Sequence, residues 1–294
     1  MKIPNIITKA EVLIEALPYI KKFYGKSFVI KYGGAAQIKE DLKDAFAKDI
    51  VTLNFIGIKT TIVHGGGPKI SLMMEKFGKK PEFIEGHRVT DAETMDIVEM
   101  VLGGLINKEI VSLINNNGGK AIGLSGKDGG LIKARKKIIR KSSAKGDEEL
   151  IDIGLVGEVT HIDPQIISSL EKEGFIPVIS PIGIGQKGET LNINADNVAS
   201  SIASAIKVEK LIIITDVPGI IDKNGNIIPS ITKAKIEDLI NDGTIKEGML
   251  PKVQACIKAL NSGVSKIHII NGNIPHCLLL EIFTKEGVGT EILA

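Results

Sequence analysis

Tryptophan is absent from this 294-residue chain and aromatic residues make up only 4% of it, whereas glycine supplies 32 positions. With isoleucine frequent as well, that balance suits buried parallel strands joined by glycine turns. Cysteine is nearly absent too. Cys256 and Cys277 form no CxxC pair and have no histidine-rich neighbourhood, which argues against a disulfide framework or a zinc site and fits a reducing cytoplasm. Neither sign of charge dominates, because 37 Lys and Arg face 35 Asp and Glu. The whole-chain field therefore makes no case for nucleic acid or an anionic membrane as partner, and any anion must be recognised locally. No run reaches about eighteen uninterrupted apolar residues, and no basic-then-apolar leader with a small-residue cleavage site is present. A soluble, unprocessed, cytoplasmic protein is expected. The length allows one large α/β core or two moderate ones.

Along the chain, Val12, Leu13, Ala16, Leu17 and Ile20 recur at helical spacing, predicting a helix over Thr8 to Phe23 with Pro18 as a kink. Because this helix precedes the first strand, a partner surface is the simpler destination for its apolar stripe. Ser27 to Tyr32 reads as a strand running into Gly33-Gly34, followed by a helix over Leu42 to Phe55. Thr60 to His64 is a second strand, running into Gly65-Gly66-Gly67 and a helix from Pro68. Glu82 to Arg88 suggests a short hairpin, and Asp91 to Asn116 a long helix opened by Thr90-Asp91-Ala92-Glu93. Alternating charges from Leu131 to Val159 suggest an exposed hairpin insertion.

The α/β rhythm then returns, with a helix near Pro164 to Glu173, a strand over Phe175 to Ser180 and a helix opened by Asn194-Ala195-Asp196. Leu211 to Thr215 is apolar enough to be buried on both faces of a parallel sheet. A helix over Lys252 to Asn261, a strand over Lys266 to Ile270 and a helix near Pro275 to Phe283 complete a doubly wound, mostly parallel scheme. A lobe boundary is expected near Ala205 to Glu209.

Two strands end directly in glycine clusters, where bare backbone N–H groups and helix starts can hold an anion. The two common nucleotide fingerprints fail. Gly25-Lys26-Ser27 has Ile20 where a Walker A loop needs its first glycine, Gly126-Lys127 has Ala121 before it and Asp128 after it, and no G-x-G-x-x-G follows the first strand. Lys31, just before Gly33-Gly34, would place its ammonium over the anion nest, and phosphoryl transfer needs cations and in-line placement more than covalent chemistry. Leu191 to Asp196 sets two amides and an acid at a helix start, a pattern that capping alone would also explain. Thr215-Asp216-Val217-Pro218-Gly219 follows the most apolar strand, and Gly248 to Lys252 delivers a lysine to the next helix.

Taken in order, Lys31-Tyr32-Gly33-Gly34, His64-Gly65-Gly66-Gly67-Pro68, Gly86-His87-Arg88-Val89-Thr90, Asn192-Ile193-Asn194-Ala195-Asp196, Thr215 to Ile220 and Gly248 to Val253 resemble the amino acid kinase family over nearly the whole chain. The resemblance implies a three-layer αβα sandwich around a mostly parallel central sheet. It further implies an oligomerisation helix over 1–23, an acceptor-binding and dimerisation lobe over 24–207, and an ATP-binding lobe with a C-terminal effector region over 208–294. Lys31 and Lys252 would flank the transferring phosphoryl group, with Asp196 holding both. Gly66, Gly67, Arg88 and Asn192 would bind the acceptor, Arg88 as a bidentate fork on a carboxylate. Gly33, Gly34, Thr215, Asp216, Gly219, Ile220 and Met249 would border ATP, and Mg²⁺ would ride on the phosphates rather than in a protein cage.

Within the family, the pattern is similar to the branch that phosphorylates the γ-carboxylate of N-acetyl-L-glutamate in arginine biosynthesis. The N-terminal helix is similar to that of members that form hexameric rings, trimers of dimers, and are inhibited by arginine. Tyr19, Lys210, His268, Glu281 and Gly287 would then form the arginine site. Asn271 and Asn273 stand where Asp and Arg are common, and Cys277 where Ser is usual. The alternatives are a kinase of the same fold acting on carbamate, aspartate or glutamate, and a non-catalytic arginine sensor. Against an aspartate kinase stands the lack of a C-terminal regulatory module, and against a pure sensor the intact Lys31, Asp196 and Lys252.

Overall fold

The computed structural model describes residues 3–142, 148–245 and 247–294. A long helix, α1 (Ile3–Phe23), leads into two βα units, β1 (Ser27–Tyr32) with α2 (Glu40–Phe55) and β2 (Lys59–His64) with α3 (Gly67–Lys76). The hairpin β3 (Phe83–Ile84) and β4 (His87–Arg88) precedes α4 (Ala92–Glu99), a π-helical segment over Met100–Ile106, and α5 (Asn107–Asn116). Next come β5 (Ala121–Ser125), the long strands β6 (Ile132–Ser142) and β7 (Glu148–Ile162), α6 (Gln165–Lys172), β8 (Ile176–Ser180), β9 (Ile182–Ile184) and β10 (Thr190–Ile193). The last third comprises α7 (Ala195–Ala205), β11 (Lys210–Thr215), β12 (Ser230–Thr232), α8 (Lys233–Asn241), α9 (Leu250–Asn261), β13 (Lys266–Asn271), α10 (Cys277–Phe283) and β14 (Gly289–Leu293).

Eight strands form one sheet in the order β12-β14-β13-β11-β1-β2-β8-β5, and all neighbours run parallel except β13 with β14. Alternate residues of β1 serve opposite faces. Phe28, Ile30 and Tyr32 pack with α2, α3, α5 and α10, whereas Val29 packs with α6, α7, α8 and α9. Two separate apolar cores on the two faces make the three-layer αβα sandwich, and Leu211 to Ile214 is fully buried between them, as its lack of polar alternation requires.

Three expectations need correction. The stretch from Leu131 to Val159 is not simply an exposed insertion, because β6 and β7 close with β9 and β10 into a small four-stranded barrel. Ile132, Ala134 and Val156 are buried there, as are Ile139 and Ile153 farther out, while Lys133, Arg135, Ile138 and Leu150 are exposed. The helix over 91–116 is not uniform, since its centre winds as a π-helix around Gly103 and Gly104, residues of poor helical propensity. The helix expected from Thr8 already begins at Ile3, and Pro18 lies inside it. Its Val12, Leu13 and Leu17 are exposed, while Tyr19 and Phe23 pack with the layer that includes α10.

Candidate active site

The carboxyl ends of β1 and β2 and the first turns of α7 and α9 converge on one cavity of about 370 Å³. Asn194 caps α7, its side-chain oxygen accepting from the N–H groups of Asp196 (2.8 Å) and Asn197 (3.2 Å). The cap satisfies the helix start and leaves the Asp196 carboxylate free for other work. One oxygen of that carboxylate lies 3.1 Å from Lys31 Nζ and the other 3.1 Å from Lys252 Nζ. Lys252 arrives from the first turn of α9, which Pro251 helps to start.

All three groups are largely withdrawn from water, with side-chain exposures of 9% for Lys31, 7% for Asp196 and 20% for Lys252. Burial pulls the Lys31 ammonium below the usual lysine range, and the Asp196 charge opposes that pull. Burial would push the Asp196 carboxyl up, but the Lys31 and Lys252 ammoniums outweigh it and hold the acid below the ordinary carboxylate range. The carboxylate is thus ionised between two cations, both aimed into the cavity.

The glycines beside this triad are dictated by space. A Cβ on Gly33 would collide with Lys31 Nζ, and one on Gly66 would lie 2.5 Å from Ile106 Cδ1. Gly34 has a φ of +68°, and a Cβ there would come within 2.9 Å of Asp216 N, so the first glycine loop lies directly against the end of β11.

Arg88 closes the other side. Its Nη2 donates to the Gly67 carbonyl (3.0 Å) and Ser71 Oγ (2.8 Å), and the guanidinium sits 4.6 Å from the centre of the Phe83 ring. No carboxylate of the described residues pairs with it, although its residue exposure is only 7%. A buried guanidinium with N–H groups to spare is a receptor for an anionic ligand group. Asn192 lines the same wall, its Nδ2 making a long bond to Thr90 Oγ1 (3.4 Å).

The cavity brings together Lys31, Gly33, Gly34, Gly66, Gly67, Arg88, Asn192, Asp196 and Lys252. Thr215, Asp216, Gly219, Ile220 and Met249 lie outside its lining. Of these, Thr215 Oγ1 bonds Asp216 Oδ1 (3.1 Å), and the Ile220 N–H donates to Thr290 Oγ1 (2.9 Å) on β14. Sequence reasoning missed Glu109, which joins Lys43 (2.6 Å) and Lys69 (2.8 Å) at the cavity wall. It also missed Leu102 and Ile106, the π-helical residues under Gly66. No local pattern marks them, since their partners come from other elements.

Lys210, His268, Glu281 and Gly287 also meet, in a second cluster away from the cavity. Lys210 Nζ donates to His268 Nε2 (3.1 Å), His268 Nδ1 donates to Glu281 Oε1 (2.5 Å), and the Val288 N–H donates to Glu281 Oε2 (2.7 Å). Gly287 faces that carboxylate too closely for a side chain, a Cβ falling 2.9 Å from Oε2. Tyr19 packs in the same layer as Leu279, Phe283 and Val288. Among the described residues no group of three or more His, Cys, Asp or Glu side chains is arranged to hold a metal ion, and no helix is long and apolar enough to cross a membrane.

Residues 26–271 match the model of the amino acid kinase family. A protein of Syntrophobacter fumaroxidans named acetylglutamate kinase is 58% identical over 291 residues, covering 98% of this chain and 97% of the relative. One of the same name from Methanocaldococcus jannaschii is 54% identical over 295 residues, covering 99% and 98%. Among solved structures, the N-acetylglutamate synthase of Neisseria gonorrhoeae superimposes with a TM-score of 0.84 at 22% identity, over 97% of this chain and 63% of that longer one. Carbamate kinase from Giardia superimposes with a TM-score of 0.66 at 18% identity, over 92% of this chain and 99% of that one. The synthase and the carbamate kinase show the shared fold. Matched along nearly its full length, the chain belongs to the amino acid kinase family.

Proposed function

We propose that the chain transfers the γ-phosphoryl group of ATP to the γ-carboxylate of N-acetyl-L-glutamate, yielding ADP and N-acetyl-L-glutamyl 5-phosphate in arginine biosynthesis. The carrying observation is the Lys31–Asp196–Lys252 bridge beside an Arg88 that lacks a carboxylate partner among the described residues. Arg88 takes a carboxylate of the acceptor, which leaves the γ-carboxylate directed toward the two lysines. One γ-carboxylate oxygen forms the new P–O bond as the bond to the ADP oxygen breaks. Lys31 and Lys252 stabilise the charge spread over the transferring group from opposite sides, and Asp196 fixes where both stand. A carboxylate nucleophile carries no proton to remove, so no general base is required.

Gly33 and Gly34 cradle the ATP phosphates, and Thr215, Asp216, Gly219, Ile220 and Met249 border the rest of the nucleotide. Mg²⁺ would be carried by the phosphate oxygens and would offset part of their charge. Gly66, Gly67 and Asn192 hold the acceptor, Asn192 at its acetamido end. On this reading residues 24–207 form the acceptor lobe and 208–294 the nucleotide lobe. Arginine acts as feedback inhibitor at Tyr19, Lys210, His268, Glu281 and Gly287, where Glu281 supplies the carboxylate for a guanidinium. The exposed Val12, Leu13 and Leu17 of α1 support a ring of six subunits built through that helix.

The test is ADP release from MgATP with N-acetyl-L-glutamate, compared with carbamate, aspartate and glutamate. A marked preference for the acetylated acceptor is expected. Equal or better turnover with any of the other three refutes the assignment.

A further inference from the structure

The imidazole of His64 is fully buried at the end of β2, immediately before the glycines of the acceptor loop. Its Nδ1 lies 3.0 Å from the carbonyl oxygen of Gly65, and its Nε2 lies 3.3 Å from Asn107 Nδ2. An amide nitrogen can only donate, so Nε2 accepts and Nδ1 carries the proton. Burial holds the ring's pKa down to about 4, so this neutral tautomer persists across the working range. Asn107, at the junction of the π-helical segment with α5, also donates to Val178 O (2.9 Å) and Leu124 O (3.4 Å), which ties the ring to β8 and β5.

The Gly65 carbonyl receives a second bond from Gln37 Nε2 (3.3 Å), whose amide also donates to Tyr32 O (2.8 Å), and the Gly65 N–H donates to Tyr32 O (2.9 Å). Both lone pairs of the Gly65 carbonyl are therefore engaged by side chains of the protein. In a trans peptide the N–H points opposite to the C=O. Fixing the Gly65 carbonyl thus fixes the direction of the Gly66 N–H, which finds no acceptor among the described residues and borders the cavity.

We infer that His64 is a positioning residue: by holding the Gly65 carbonyl it aims the Gly66 N–H at a carboxylate or carbonyl oxygen of the phosphoryl acceptor. The inference rests on the acceptor-binding reading of the second glycine loop. It goes beyond that reading by naming what orients the donor, and it predicts which atom of the imidazole matters.

Three variants separate the roles of the two ring nitrogens. In His64→Asn the side-chain amide nitrogen can occupy the place of Nδ1, keeping the bond to Gly65 O. His64→Gln places its amide near Nε2, preserving contact with Asn107 and losing the bond to Gly65. His64→Phe keeps the ring and loses both. Each is assayed for the KM of N-acetyl-L-glutamate and of MgATP, and for thermal stability. Phe and Gln variants are expected to raise the acceptor KM about five- to tenfold, the effect of losing one well-placed hydrogen bond, with the ATP KM within about twofold. The Asn variant is expected to recover most of the loss whatever its melting temperature. An Asn variant no better than Phe, a rescue by Gln instead of Asn, or equal rises in both KM values would overturn the inference. Wild-type turnover of N-acetyl-L-glutamate is measured alongside. A failure there strikes the proposed reaction, whereas a failure confined to the variants strikes only the role of His64.

Discussion

Replacing Asp196 by asparagine tests the centre of the site with little change of shape. The carboxylate gives one oxygen to each lysine, at 3.1 Å in both cases. An amide has a single oxygen, so one ammonium would face an NH₂ group and the other would lose the ionic part of its bond. Two cations would then share a poorly hydrated corner with no anion between them. Breaking a buried ion pair from one side costs about 3–5 kcal/mol, and the partial exposure of Lys252 favours the lower end. For a chain of this size that corresponds to a drop in Tm on the order of 5–8 °C. Saturating MgATP, or a non-hydrolysable analogue, brings negative phosphates to the same lysines. It should therefore stabilise Asp196→Asn more than it stabilises the wild type and narrow the gap. The displaced lysine should lower kcat by roughly two to three orders of magnitude, as for loss of one preorganised donor. Calorimetry with and without nucleotide, together with a coupled ADP assay, reads all three quantities. A variant that melts within about 1 °C of wild type and turns over within tenfold of it would show that Asp196 does not hold the lysines.

Lys31→Ala and Lys252→Ala should each lower kcat about 10²- to 10³-fold with the circular dichroism spectrum unchanged, and an unchanged rate would remove that lysine from the mechanism. Arg88→Lys should raise the acceptor KM, because a point ammonium cannot reproduce the planar fork, and a selective rise in the ATP KM would contradict the placement. Asp49 is buried on α2 with its carboxylate 2.6 Å from His276 Nδ1, and burial pushes its acid up to about 6. Between about pH 4 and 6 the folded protein holds a proton that the unfolded chain has released, so this group's contribution to stability falls as pH rises through that window. Asp49→Asn should remove that slope, worth on the order of 2–3 kcal/mol, and unfolding curves at pH 4.5 and 7 that shift in parallel with wild type would refute it. Deleting residues 1–22 should give smaller oligomers whose turnover resists arginine, and a variant that remains hexameric by light scattering and is still inhibited would refute the proposed feedback route.

Much of this was legible because the chain declares its central strands by composition. Leu211 to Thr215 and Phe28 to Ile30 have no polar face to expose, and each central strand stops at a glycine or small-residue turn, so a parallel sheet with its ligand end followed directly. Lys31, the glycines around Gly66, Asn192, Asp196 and Lys252 stand next to turns that interrupt a periodic pattern and were legible for the same reason, whereas Arg88 and the acceptor-binding roles came from the resemblance to the amino acid kinase family. Elements that depend on distant partners were not. Gly289 to Leu293 is a short strand whose direction is set by β13, antiparallel to its neighbour, and nothing in five residues encodes that choice. The inner half of the 132–162 hairpin looked solvated because its charges alternate, whereas β9 and β10 bury Ile132 and Val156. His64, Asn107 and Gln37 form their network across 43 and 28 positions of sequence, beyond the reach of any local pattern.

The pairing of β1 with β11, from Phe28 opposite Lys210 to Lys31 opposite Ile213, has a mechanical consequence. On the proposed lobe assignment it joins the acceptor side of the cavity to the nucleotide side by a ladder of backbone bonds, both strands being buried. A hinge of two separate bodies about a flexible tether is ruled out by such a seam, because opening it would break the ladder and expose apolar surface on both faces. On the proposed reading, closure over substrates is expected to leave this seam intact and to act through the elements around it, the starts of α7 and α9 included. Amide hydrogens of β1 and β11 should then exchange only on global unfolding, while those at the starts of α7 and α9 respond to nucleotide.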